Sequence, residues 1–307
     1  MQRRYLLSLV GLSLIFAIAT YLTPASGALL HKYHLTVVQL RIIDTLVILP
    51  LVAIWATAFY GASIFESYAL SIKRHKDGAA LRTISYGVSI LAAGTVVTSV
   101  VAALFGYYSG SHLSFVRPQV IISNYLTMLI TAAAFGFMYA GAARLAGLTG
   151  KKFHPSGDAT YNGFCIALIV LYTYLFLNRL PAARHIPLTA TSHSAYFIPT
   201  GLIVITLLIP YLISWYVGAL AVRLLWFYQK NIGGKLYTHD VGFLSLGIGV
   251  VIAGSIITQI LTVLTGQLQN LSTAAVIALI YCFLMIIAAG YIPIAVGVKK
   301  LAALEKI

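Results

Sequence analysis

The chain is short of charge, and shortest of negative charge. Only 8% of its 307 residues are charged, and six acidic residues stand against twenty basic ones. Soluble domains carry about 25% charged residues, so a soluble enzyme or a disordered chain is excluded. The two cysteines, Cys165 and Cys282, lie in apolar stretches without a CxxC pair. That excludes a disulfide scaffold and thiol exchange, and both read as buried packing thiols. No HExxH, GxSxG or phosphate loop is present, which removes the commonest hydrolytic and nucleotide chemistries. The basic residues form no domain of their own, so nucleic acid is not the expected partner.

What the chain does have is apolar length. Hydrophobic residues make up 60% of it, and the mean hydropathy is +0.94. A helical span needs about 20 mostly apolar residues. The sequence predicts an all-α polytopic membrane protein with eight transmembrane helices, over residues 5–23, 43–65, 83–107, 119–143, 162–180, 197–222, 241–266 and 272–298. The runs are continuous rather than alternating, which argues against a barrel. With the N-terminus inside, fifteen of the twenty Lys and Arg fall on inner segments. This bias predicts both termini in the cytoplasm of a plasma membrane, bacterial by this reading. Residues 1–28 also carry signal-peptide features, namely Arg3 and Arg4 before an apolar run and a small-residue site at Ala25-Ser26-Gly27. The repeat described next favours a retained first helix.

Self-similarity is the most informative pattern. Residues 93–106 read AGTVVTSVVAALFG and residues 253–266 read AGSIITQILTVLTG, with five of fourteen positions identical. The same offset of 160 pairs ILPLVAIW (48–55) with LIPYLISW (208–215), so Pro50 meets Pro210 and Trp55 meets Trp215. It also pairs Gly87 with Gly247. An offset of 156 pairs Tyr125 with Tyr281 and Gly141 with Gly297. The reading is two parallel four-helix repeats, residues 1–150 and 151–307, within one membrane domain. Parallel repeats are related by an axis along the membrane normal.

Proline inside a helix removes a backbone donor and frees a carbonyl. Prolines at matching places in two halves point to a midplane site. The candidate ligand-binding residues are therefore Pro50, Trp55, Pro210 and Trp215. Asn124, Tyr125, Gln259 and Tyr281 join them as polar groups within the spans. A buried indole N–H needs an acceptor. Either the proline-freed carbonyl supplies it, or the Trp lines a pocket. Asp44 and Glu66 read as lying near helix ends, within reach of water. Neither has an acidic counterpart in the other half, so a proton relay is poorly supported.

Two four-helix repeats in eight spans resemble the architecture of the haem A synthase and copper-resistance membrane families. The resemblance covers architecture alone. All eight His fall in loops or at helix ends, whereas haem needs axial ligands inside the bundle. No cofactor is expected, with one exception at the outer rim. His31 and His34, with His185 and His193 in the matching loop, have the ligand type for Zn or Cu. The expected partners are membrane lipids, with anionic head groups at the basic inner loops, and a membrane protein or a second copy of this chain. The function expected is a transporter or permease-like protein moving a small molecule or ion between the two halves. The alternative is a non-catalytic scaffold or partner subunit. A lipid or quinone enzyme ranks last for want of a nucleophile or metal motif.

Overall fold

The computed structural model describes residues 3–22, 36–72, 76–111, 116–150, 209–231, 235–265 and 273–304. They form seven helices: α1 (Arg3–Leu22), α2 (Val37–Ser71), α3 (Lys76–Ser111), α4 (Val116–Leu148), α5 (Ile209–Asn231), α6 (Lys235–Thr265) and α7 (Thr273–Leu304). Hydrocarbon offers the backbone no hydrogen-bond partner, so apolar chain closes its bonds internally as helix. Among the described residues, Arg3–Leu22, Ile48–Ser71, Asp77–Val101, Leu126–Leu148 and Met285–Ala303 are long and apolar enough to cross a membrane. Val241–Ile257 is a shorter apolar stretch of α6. The protein is helical and membrane-embedded.

Most helices outrun the apolar windows that predict them. The span predicted at 43–65 belongs to a helix running from Val37 to Ser71, and that at 272–298 to one ending at Leu304. At 1.5 Å per residue such helices reach about 50 Å, past a hydrocarbon layer of about 30 Å. Hydropathy detects only the part in oil, whereas the hydrogen-bond ladder continues into the head groups. Local chemistry sets the ends. Thr36 caps α2: its hydroxyl accepts from the Gln39 N–H at 3.2 Å, and Gln39 Oε1 accepts from the Thr36 N–H at 2.8 Å. Beyond α4, Gly150 takes φ +69°, a left-handed turn that suits glycine.

The helices pack with α3 on α4 and α6 on α7 as the most extensive contacts. The α4–α5 and α2–α7 pairs follow, and α1 packs on α2 and α3. Glycine allows the closest approaches. A methyl at Gly87 would lie 2.7 Å from Met138 Cγ and 2.5 Å from the Ala134 carbonyl oxygen. A methyl at Gly247 would lie 2.7 Å from both Ile294 Cγ1 and the Gly290 carbonyl oxygen. Gly61 of α2 admits Tyr291 of α7, and Gly218 of α5 admits Phe135 of α4. Close helix approach through small residues is how membrane bundles gain packing energy.

One rim collects the starts of α1, α3 and α6 and the ends of α2, α4, α5 and α7. Cross-helix contacts fix this arrangement: Arg144 bonds Thr83, Tyr228 bonds Asp77, Lys299 bonds Tyr60, and Lys300 lies over Phe243. At the opposite end Arg41 of α2 donates to the Thr20 carbonyl of α1 at 3.1 Å.

Candidate functional site

Two places combine polarity with burial, and the first is at the basic rim. Arg4 and Tyr5 open α1, and Glu66 lies a turn before the end of α2. Glu66 is 5% exposed. Its Oε2 lies 2.5 Å from Arg4 Nη2 and accepts from the Tyr5 hydroxyl at 2.6 Å. With that proton committed, the Tyr5 oxygen accepts from Ser89 of α3 at 2.7 Å. The Tyr5 ring meets Phe59 edge-on at 5.8 Å, and the Arg4 guanidinium lies 5.4 Å from the Tyr5 ring centre. Glu66 and Tyr5 together thus tie α1, α2 and α3. This corrects the expectation that water solvates Glu66: α2 continues to Ser71, so residue 66 is still inside the packed helix.

The same rim carries two further ties. Tyr228 of α5 donates to Asp77 of α3 at 3.0 Å, and Lys299 of α7 donates to the Tyr60 oxygen of α2 at 3.0 Å. Among the described residues no group of three or more His, Cys, Asp or Glu is placed to hold a metal. His31, His34, His185 and His193 lie outside the described residues.

The second place is in the bundle. Trp55 is 1% exposed, and its ring meets Phe16 of α1 edge-on at 5.2 Å. Among the described residues its indole Nε1 has no hydrogen-bond partner. The carbonyl freed by Pro50 therefore does not take this proton. The hydroxyls of Ser13 on α1, Ser214 on α5 and Ser245 on α6 are likewise buried without a partner among the described residues. In oil such groups call for a polar guest or an acceptor from elsewhere.

The other predicted residues do not gather around Trp55 as one cluster. Pro50 is exposed on a continuous α2, with exposed Leu49 beside it. Trp215, beside buried Ser214, is partly buried. Tyr281 is partly buried against the core. Pro210, Asn124, Tyr125 and Gln259 lie on α5, α4, α4 and α6, and their side chains are outside the described set. Cys282 is exposed rather than buried, because an apolar helix face in a membrane is as well covered by lipid as by protein. Hydropathy and spacing also passed over Tyr291, which is fully buried and bonds the Val88 carbonyl. Pro293 lies inside α7. Comparison with protein families, curated proteins and solved structures finds no match.

Proposed function

We propose that this is a permease-like membrane protein of two related four-helix halves, residues 1–150 and 151–307, which moves a small molecule or ion between them. The observation that carries the reading is Trp55: a buried indole N–H without an acceptor, on a proline-containing helix whose sequence counterpart bears Trp215. A guest with a hydrogen-bond acceptor satisfies that donor. Packing supports the two halves. Gly87 meets Ala134 and Met138, and Gly247 meets Gly290 and Ile294, which are the same three positions at offsets of 160 and 156. The ring positions Tyr291 and Phe135 also match at offset 156, and each packs on a glycine, Gly61 and Gly218, that lies three positions off strict register.

The gathering of Arg4, Arg82, Arg144, Lys230, Lys299 and Lys300 at one rim supports eight spans with both termini cytoplasmic. Helices α4 and α5 both finish at that rim. An eight-span topology requires this, since the sequence predicts one span, 162–180, between them.

The scaffold reading has its own support. Both seams are filled at Gly61 and Gly218, and Pro50 faces outward. Swelling of liposomes containing the protein, in uncharged solutes and in salts, separates the two. The permease reading expects faster entry of one solute class than into empty liposomes. It also expects Trp55→Phe and Trp215→Phe, tested singly, to slow that entry while the protein still accumulates in the membrane. Trp55→Phe keeps an aromatic side chain but removes the N–H together with part of the buried indole, so unfolding should become easier by roughly 1–2 kcal/mol. Entry no faster than into empty liposomes, or unchanged in both variants, selects the scaffold.

A further inference from the structure

Helix α7 shows one exposed stripe along its length. Met285, Ala289, Ile292, Val296, Lys299, Lys300 and Ala303 are exposed, at steps of three and four residues that keep them on one face. The stripe is apolar until the rim, where it ends in two adjacent lysines. Neighbouring helices hold both. Lys299 bonds the Tyr60 oxygen, with its ammonium 5.5 Å from the ring centre, and Lys300 lies 4.5 Å from the centre of Phe243 on α6. Among the described residues neither meets a carboxylate. The phenol takes one of the three Lys299 donors, and the Phe243 ring takes none of those of Lys300 in a hydrogen bond.

We infer that this face holds an anionic phospholipid, its acyl chain along Ile292 and Val296 and its phosphate on Lys299 and Lys300. Two oriented cations at the end of an apolar strip match a phosphodiester at the end of a chain in both charge and polarity. Ring contacts limit the motion of the ammonium groups, so less freedom is lost on binding. The site lies on α7 between α2, which holds Lys299, and α6, which holds Lys300. At the repeat offsets the counterparts of Tyr60, Lys299 and Lys300 are Leu220, Ala143 and Arg144, so the other half keeps one cation, which bonds Thr83, and has neither the phenol nor the lysine pair. The inference rests on membrane embedding alone and is independent of transport.

The test is titration of the whole protein in neutral-detergent micelles with phosphatidylglycerol, read by native mass spectrometry. One lipid should bind with a preference over phosphatidylcholine, and free glycerol phosphate should not displace it. Lys299→Ala/Lys300→Ala should weaken this binding roughly 10- to 30-fold, as expected for two near-surface lysines. Lys299→Arg/Lys300→Arg should retain it and shows that a variant at this place folds. Removing two cations elsewhere on the rim, by Arg223→Ala/Lys230→Ala, should leave it within about threefold. Equal loss in the two alanine pairs means diffuse attraction and overturns the site. So does displacement by glycerol phosphate, or wild-type binding with no preference for the anionic lipid.

Discussion

Replacing Arg4 with alanine should destabilise the protein by about 2–3 kcal/mol, because it strands the buried Glu66 carboxylate with one phenol donor. Breaking a buried ion pair from one side typically costs roughly 3–5 kcal/mol. The Arg4 side chain is 58% exposed, and solvent screening of that partner lowers the expected figure. Glu66→Gln should cost less, about 1 kcal/mol, since an amide needs no counter-ion and still accepts from Tyr5. The two changes share a partner, so their effects should not add. The double variant should fall short of the sum by about 1 kcal/mol or more. Thermal or denaturant unfolding in detergent micelles, followed by circular dichroism, reads all three. Additive losses would mean that Arg4 and Glu66 are not coupled and that α1 is held by its other contacts.

The second large effect concerns the glycines that let helices touch. Gly87→Ala and Gly247→Ala should each cost about 1–3 kcal/mol, the usual penalty for overpacking. In both, the added methyl meets a backbone oxygen and a side chain at 2.5–2.7 Å, and neither oxygen can rotate away. Gly11→Ala supplies the contrast. Nothing lies within 4 Å of its methyl, so better helix propensity should make it neutral or stabilising by about 0.5–1 kcal/mol. Similar losses at positions 87 and 247 are the signature of duplicated packing. A costly change at one and a neutral change at the other would separate the two contacts and weaken the case for related halves.

These particulars show what was readable in advance. The long apolar runs gave helices, since oil leaves the backbone no other arrangement. Gly87 and Gly247 stood out by their shared offset, and both line close contacts. The orientation of side chains was not readable. In water, an apolar face turns inward, so periodicity reveals the core. In a membrane both faces are apolar, and the contrast that drives such patterns is gone. Pro50 and Cys282 were therefore assigned to the interior and lie on the outer surface. Glu66 was missed for a different reason. Its pairing joins residues 61 positions apart, and no local pattern reports a partner on another helix. Trp55 was noticed as an indole out of place, but only coordinates show that its proton has no taker.

The rim tie between α1 and its neighbours bears on how the chain is made. Helix α1 is the least enclosed of the five candidate spans, with 17% of its most apolar window buried against 44–56% in the others. It is also the first to leave the ribosome. At the other end Arg41 holds it early, but its polar fastenings at the basic rim, Glu66 and Ser89, are synthesised 61 and 84 residues after Tyr5. A nascent chain cut short of residue 66 thus leaves α1 in the bilayer with neither fastening, exposed to membrane proteases. One extended past residue 89 has both, which sets a point in translation after which the first helix becomes resistant.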